Sequence, residues 1–301
     1  MIDISVGPNL FTIQNGLNLA LAWHGIFSLV AVITAVYLVA RWAPMKGISS
    51  DDVYSLAIWC VLGGFIGARL VHVIDYWDFY GNNPVRIIAI WSGGIGVWGG
   101  ILGGFLGGIT YLFIQRVPKV HWGVLMDLTA PALLLAQTIG RLGDIANGEH
   151  CARSASHFLS FAWTHPQSLA QHCASGHISS PFSTGSEPVI FYEILGNTII
   201  IAILWALRNR VNPSGMLWCI YLSLYSISRF AITFAREDRI WAFGMQEAHY
   251  IALVCLAVTI PILAYKARFV SPPTIIENVP ITSILNVDPT STRAKRRRND
   301  S

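Results

Sequence analysis

The segment from residue 138 to residue 152 places charged and amide side chains at the end of a long apolar run. Arg141, Asp144, Asn147 and Glu149 fall within nine residues, among glycines. A guanidinium group suits bidentate contact with phosphate, while the amide and the second carboxylate can orient or cap the turn that follows. These residue types at this spacing predict an anion-binding site.

Four other ionisable residues interrupt apolar stretches elsewhere in the chain: Arg69, Arg229, His24 and Glu193. A charge at the bilayer centre costs at least about 2.5–3.5 kcal/mol on insertion scales, so such residues usually face a shared interior and mark a site. A single buried arginine is explained equally well by a structural ion pair with an acid. Arginines on three different apolar stretches favour a functional anion site.

The composition identifies the medium around these residues. Of the 301 residues, 53% are hydrophobic and 12% are charged, whereas a typical soluble domain has about 25% charged residues. Apolar stretches close to the ~20-residue length of a membrane-spanning helix recur along the chain. We therefore predict an all-α polytopic membrane protein with about seven transmembrane helices, at 19–41, 53–75, 87–115, 122–146, 189–207, 215–235 and 249–266.

Basic residues indicate how these spans are oriented. One set of loops and span ends carries Arg41, Lys46, Arg116, Lys119, Arg208, Arg210, Lys266 and Arg268. By the positive-inside rule this side is cytoplasmic, so we predict that the N-terminus lies outside and the C-terminus in the cytoplasm. Residues 1–270 then form the membrane domain, with a long outer loop at about 148–187.

The polar residues 271–301 are predicted to be a disordered cytoplasmic tail. Their basic cluster at 293–298 either sets the topology or contacts anionic lipid. Basic residues are too scattered elsewhere to indicate nucleic-acid binding, and we expect none.

The predicted topology sets the depth of the charged residues. Arg69, Arg141 and Arg229 come late in spans that run outward, whereas His24 and Glu193 come early in spans that run inward. All five are therefore predicted in the outer part of the membrane, where a phospholipid head group is a suitable anion.

Two residues near Arg229 extend this site. Tyr225, four residues earlier, shares a helix face with Arg229. Arg236, seven residues later, falls on the same side near the outer water interface.

Glycines in the third span have several explanations. Gly94, Gly96 and Gly99 formally match GxGxxG, but dinucleotide binding requires a preceding strand and a soluble βαβ unit. Glycines also recur every fourth residue in the series 99, 103, 107 and 100, 104, 108, which lets helices pack closely in lipid. We include Gly99 and Gly100 among the predicted substrate contacts, with packing as the alternative, and expect a non-helical stretch at 93–96.

The outer loop contains Cys151, Cys173 and five histidines. An oxidising exterior permits a disulfide between the two cysteines, which the sequence leaves open. The histidine spacing matches no trusted ligand pattern, so we expect no metal.

Several motifs together resemble the prolipoprotein diacylglyceryl transferase family. The segment 140–149 is similar to its signature G-R-x-G-N-F-x-N-x-E, and the likeness extends over roughly residues 5–266. Further similar motifs are Trp23-His24-Gly25, Gly67-Ala68-Arg69-Leu70, Trp91-x-Gly93-Gly94 with Trp98-Gly99-Gly100, Pro188…Tyr192-Glu193, and Tyr225…Arg229 with Arg236.

The resemblance implies a multi-pass enzyme of the bacterial inner membrane without a cofactor. Such an enzyme transfers diacylglyceryl from phosphatidylglycerol to the lipobox cysteine of a prolipoprotein signal peptide, forms a thioether and releases glycerol phosphate. By the resemblance and by their depth, Arg141 and Arg229 are assigned to the phosphate. The other predicted substrate contacts are Arg69, Gly99, Gly100, Gly143, Asp144, Asn147, Glu149, Glu193, Tyr225 and Arg236.

This chain also departs from the family pattern. The signature asparagine is Asp144, the tyrosine of W-Y-G is His24, and the histidine before the glycine pair is Trp98. Trp98 cannot accept a proton, so His24 is a candidate catalytic base for the thiol, whose pKa is near 8.5 in free cysteine. A hydrogen-bonded interfacial histidine is the alternative. Further departures are Ile145, Glu187 and the missing proline at Arg236-Glu237-Asp238.

Two other functions stay open from the sequence. A non-catalytic relative would bind phospholipid or lipoprotein precursors through the same residues. An unrelated anion transporter should contain inverted repeats with broken helices in both halves, and the sequence shows one glycine-rich segment without an internal repeat.

Overall fold

The structure is a computed structural model, and seven of its helices are long and apolar enough to cross a membrane. It describes residues 1–13, 19–89, 94, 96–148, 151–168, 170, 173 and 185–270, so the tail at 271–301 lies outside the described residues. The helices are α1 (Trp23–Trp42), α2 (Ser50–Asp75), the short α3 (Trp77–Gly81), α4 (Val97–Ile114), α5 (Lys119–Asn147), α6 (Val189–Leu207), α7 (Met216–Thr233) and α8 (Glu247–Lys266). The prediction of a helical membrane protein with seven spans is confirmed, while the orientation of its termini stays a prediction.

The first span begins later than the sequence predicts. Residues Leu19–Ala22 form strand β3, which pairs antiparallel with β2 (Asn9–Ile13), and α1 begins at Trp23. A short apolar run satisfies its backbone hydrogen bonds as well in a hairpin as in a helix. The composition of residues 19–22 alone therefore does not distinguish a strand from a helix.

The third span also begins later, at Val97 rather than at residue 87. Residues Pro84–Ile88 form a turn of 3₁₀ helix, and Gly94 has a left-handed backbone with φ of +80°. This backbone conformation favours glycine, and a Cβ there would lie 2.5 Å from His72 Nε2, so that side chain would have to move. Of the non-helical stretch expected at 93–96, Gly94 and Gly96 precede the helix as expected, while residues 93 and 95 lie outside the described residues.

Glycines bring α2 and α4 into backbone contact. A Cβ at Gly103 would lie 2.9 Å from Gly67 Cα and would overlap the carbonyl of Gly63. A Cβ at Gly107 would lie 3.3 Å from Gly63 Cα. The four-residue repeat thus forms a close helix–helix contact, as small residues do in membranes.

Apolar packing sets the positions of the helices that carry the predicted site. Between α5, α6 and α7, a buried cluster contains Leu134, Ile200, Leu204, Leu217 and Tyr221. Because these helices also carry Arg141, Glu193 and Arg229, their packing fixes which faces point toward one another.

A small sheet joins the N-terminal residues to the long loop between α5 and α6. Its strand order is β1 (Ile2–Ile4), β5 (Phe161–Trp163), β6 (Gly185–Ser186) and β4 (Ser154–Ala155), with β1 parallel to β5. Cys151 and Cys173 form a disulfide with Cα atoms 5.4 Å apart, which decides the question that the sequence left open. The other end of the bundle carries a two-stranded sheet of β7 (Val211–Asn212) and β8 (Arg268–Phe269).

Asp127 is a charged residue within α5 that was not among the predicted site residues. Its carboxylate oxygens accept the backbone N–H groups of Gly215 at 2.7 Å and of Trp218 at 2.9 Å. Negative charge is favourable at a helix N-terminus, so Asp127 caps α7 from a neighbouring helix. This acid has a structural role at the end of the bundle opposite the predicted site.

Candidate active site

Predicted site residues on four helices meet at one end of the bundle. His24 lies in the first turn of α1, Arg141 and Arg229 lie toward the ends of α5 and α7, and Glu193 lies near the start of α6. Consecutive spans run in opposite directions, so these positions fall at the same level. The structure therefore brings together residues that the sequence placed at one depth.

Glu193 is at the centre of the ion pairs. Its Oε2 pairs with Arg141 Nε and its Oε1 with Arg229 Nη1, while Arg236 Nη1 lies 3.9 Å from Oε1. Glu193 is only 6% exposed, and a buried carboxylate requires partners of this kind to remain charged. One carboxylate thus links guanidinium groups from α5, from α7 and from the segment after α7.

Asp144 forms a second bridge, between α5 and α1. Its Oδ2 accepts from Arg141 Nη1 at 2.5 Å, and its Oδ1 lies 2.7 Å from His24 Nδ1. With Asp144 ionised, this contact assigns the hydrogen to Nδ1 of His24, because a carboxylate only accepts hydrogen bonds. The lone pair of the neutral ring is then on Nε2, which makes Nε2 the proton-accepting atom of His24.

The end of α5 positions the start of α1. Asn147 Oδ1 accepts the backbone N–H of His24 at 3.4 Å, which supplies a partner for one of the first N–H groups of that helix. A Cβ at Gly143 would lie 2.9 Å from His24 Cα, so the helices approach this closely because residue 143 is glycine. Gly143 and Asn147 therefore help to hold His24 against Asp144.

Arg236 joins this site to the long loop. Its Nε donates to Asp238 Oδ2 at 2.7 Å, and its backbone forms a β-bridge with Ala152. The next N–H, of Glu237, donates to the carbonyl of Cys151 at 3.1 Å. The backbone pairing beside the disulfide thus holds Arg236 near Glu193.

These contacts define one cluster, which we name the arginine–carboxylate network: His24, Arg141, Asp144, Glu193, Arg229 and Arg236. It contains three guanidinium groups and two carboxylates, so with neutral His24 its members carry one excess positive charge. Arg229 uses Nη1 on Glu193, and within the described residues its fork of five N–H donors has others to contact an anion. The network is chemically suited to binding a phosphate ester.

Arg69 has a different environment. Its guanidinium donates to the carbonyls of Arg86, Ile87, Ala89 and Gly94 at distances of 2.5–3.3 Å. Arg69 is 7% exposed, and these carbonyls belong to the connection that precedes α4. The contacts tie Arg69 to that connection, whereas Arg141 and Arg229 are tied to Glu193.

Other predicted contacts lie around or beyond the network. Gly99 and Gly100 face α2, and Gly99 is part of the close contact between α2 and α4. The ring of Tyr225 lies 6.0 Å from that of Tyr221, centre to centre. Glu149 lies outside the described residues. The role of these residues in substrate binding stays a prediction.

Residues outside the predicted site hold the network in place from beyond the spans. Gln246 Nε2 donates to the carbonyl of Arg236 at 2.8 Å, and Trp163 Nε1 donates to the carbonyl of Ile145 at 2.8 Å. The second contact joins the small sheet to the end of α5. No spacing in the sequence predicts either contact, because both depend on how the loops fold back onto the helices.

The seven spans and the buried network define a polytopic membrane protein with a charged site at one end of its helical bundle. The model of the prolipoprotein diacylglyceryl transferase family matches residues 8–265. The chain belongs to this family, as the sequence motifs predicted.

Similar relatives are named phosphatidylglycerol–prolipoprotein diacylglyceryl transferase. The relative from Lactobacillus acidophilus is 30% identical over 276 residues, which cover 90% of this chain and 94% of the relative. The relative from Dehalococcoides mccartyi strain BAV1 is 31% identical, with 89% and 96% covered. The relative from Listeria welshimeri is 31% identical, with 88% and 92% covered.

Proposed function

We propose that this chain transfers the diacylglyceryl group of phosphatidylglycerol to the lipobox cysteine thiol of prolipoproteins. The observation that carries this proposal is the buried Glu193, which holds guanidinium groups of a family member together at one end of the spans. No observation favours a non-catalytic binding protein over a transferase.

In the proposed reaction, the cysteine sulfur forms a bond to the glyceryl carbon that carries the phosphate. The bond between that carbon and the phosphate oxygen breaks, and glycerol phosphate leaves with the bonding electron pair. Arg141 and Arg229 contact the phosphate, whose leaving oxygen gains negative charge in the transition state. Donors that are already in place stabilise such charge without further reorganisation, and Glu193 keeps both guanidinium groups in place.

The thiol proton goes to His24 in this proposal. The support is the orientation of the ring, since the Nδ1–H that donates to Asp144 leaves Nε2 to accept a proton. The His24 side chain is 43% exposed, so a substrate thiol has a route to the ring. Asp144 also stabilises the imidazolium that forms.

The proposed site faces the outer leaflet of the bacterial inner membrane. The basic residues Lys46, Arg116, Arg208 and Arg210 are at the bundle end opposite the network, and the positive-inside rule makes that end cytoplasmic. The N-terminus is then external, and residues 271–301 form a basic cytoplasmic tail. Phosphatidylglycerol in the membrane and a prolipoprotein signal peptide are the two substrates.

The test uses the purified chain in vesicles that contain phosphatidylglycerol, together with a lipobox peptide. Mass spectrometry should detect the peptide plus one diacylglyceryl group, and a peptide with serine in place of cysteine should stay unmodified. Expression should also replace an essential host transferase. If folded protein binds phosphatidylglycerol but forms no thioether, the chain is a binding protein and the proposal fails.

A further inference from the structure

A second set of polar residues lies one helical turn below the arginine–carboxylate network. Gln137 precedes Arg141 by four residues on α5, Tyr225 precedes Arg229 by four on α7, and Asn197 follows Glu193 by four on α6. Residues at this spacing share a helix face, and four residues rise about 6 Å. We name Gln137, Asn197 and Tyr225 the inner polar layer. Tyr221, one turn further along α7 and part of the apolar cluster, is the hydrogen-bond partner of Gln137.

Contacts and burial show that this layer is inside the protein. Gln137 Nε2 lies 3.3 Å from the hydroxyl of Tyr221, to which it donates. Tyr221 and Asn197 are each 3% exposed. Below the layer, the helices close on the apolar cluster that contains Leu134 and Leu204. The layer therefore lies between the charged site and this apolar cluster.

The other end of the Gln137 amide has no hydrogen-bond partner in the described part of the chain. Its Oε1 is buried and makes no hydrogen bond within the described residues. Rotating the amide by 180° would exchange the two ends, so that an N–H group would be the atom without a partner. An ester carbonyl only accepts hydrogen bonds, so it would satisfy the rotated amide, in which an N–H group of Gln137 is unpaired and the hydroxyl of Tyr221 donates to Oε1.

We propose that the inner polar layer binds the acyl-ester carbonyls of the phospholipid substrate. The polar interface of a bilayer is roughly 5–7 Å thick in each leaflet, so ester groups lie below a phosphate by about the separation of the two layers. In the rotated placement, the amide groups of Gln137 and Asn197 and the phenol of Tyr225 supply donors for carbonyl oxygens. This inference rests on the proposed function, because that function places the phosphate in the network.

The experiment compares Gln137→Leu with the wild-type chain in detergent. It measures the affinity for dihexanoyl phosphatidylglycerol and for its ether-linked analogue, which lacks the carbonyl oxygens. The wild type should bind the ester lipid about tenfold more tightly than the ether analogue. Gln137→Leu should bind both lipids with the affinity that the wild type has for the ether analogue. Thr198→Val, which changes an exposed polar residue on α6, should bind each lipid as the wild type does.

Thermal stability separates a ligand role from a structural one. The melting temperature of lipid-free Gln137→Leu should be unchanged or higher, because the substitution removes an unpaired buried group. A lower melting temperature with unchanged ester preference would show that Gln137 only supports the bundle. Equal wild-type affinity for the two lipids would also overturn the inference. Binding is measured without transfer, so a failure of the transferase proposal gives a separate result.

Discussion

Two carboxylates determine how the arginines of this protein are held. Glu193 connects helices α5 and α7, and Asp144 connects Arg141 to His24. Asp144 and His24 each depart from the family motifs, and the structure places their side chains 2.7 Å apart. The two departures therefore form one unit, in which the carboxylate sets the tautomer of the histidine.

Replacing His24 tests its role as the base. His24→Ala should lower kcat by about 100-fold or more, the usual contribution of a positioned base. Trp98→Phe, at the position of the family histidine, should change kcat by less than about threefold. Rates of thioether formation with a lipobox peptide measure both variants. The opposite result, with a mild His24→Ala and an inactive Trp98→Phe, would contradict the assignment.

Arg229→Lys tests whether the fork geometry of the guanidinium is needed. The lysine retains the charge but cannot pair with Glu193 and phosphate through planar N–H donors, so kcat should fall by about 100-fold. Arg239→Lys, an exposed change three residues beyond Arg236, is the control and should be active. Similar activity in the two variants would show that charge alone is sufficient at position 229.

Helix α5 contributes most to the site at the scale of elements. Its last turns supply Arg141 and Asp144 to the ion pairs, Gly143 to the contact with α1, and Asn147 to the N-terminus of α1. Helices α2 and α4 form a separate close pair through their glycines. The chain thus uses α1, α5, α6 and α7 for the network and a glycine contact to join α2 and α4.

The α2–α4 contact predicts unequal effects for two glycines of one helix. Gly103→Ala should lower the melting temperature, because its Cβ would overlap the backbone of α2, at a cost of about 1–3 kcal/mol. Gly100→Ala places its Cβ 3.6 Å from Ala68 Cβ, an ordinary contact, and should leave the melting temperature unchanged or higher. Thermal unfolding in detergent checks both. Equal destabilisation would mean that the two helices are not packed as described.

At the scale of the whole molecule, one end of the bundle is covered by folded chain. Strand β1 pairs with the long loop, and the Cys151–Cys173 disulfide closes that loop beside Arg236. A disulfide also indicates an oxidising compartment. Both features agree with the proposed external location of the network.

The disulfide allows a test of topology in intact cells. After treatment with an external reductant, a membrane-impermeant maleimide should label Cys151 and Cys173 in the wild type. The Cys151→Ser/Cys173→Ser variant should show none of this labelling and should lose about 2–4 kcal/mol of stability. Labelling that appears only after the membrane is permeabilised would reverse the proposed orientation.

Much of the membrane fold could be predicted from local sequence. Seven apolar stretches indicate seven spans, and their alternation places Arg141, Glu193, Arg229 and His24 at one level, because helix length and direction need no tertiary information. Local composition was insufficient at residues 19–22, where an apolar run forms a strand paired with Asn9–Ile13. The sequence also did not reveal that Arg69 donates to the carbonyls that precede α4.

The sequence by itself determined which charged residues lie at the end of the spans predicted to be external, and that they share one depth. It also determined the family to which the chain belongs. Only the tertiary structure decided their partners: Glu193 with Arg141 and Arg229, and Asp144 with His24. Depth follows from position along a helix, whereas pairing depends on the rotation of each helix about its axis. That rotation is set by packing among residues far apart in the chain, which no local pattern records.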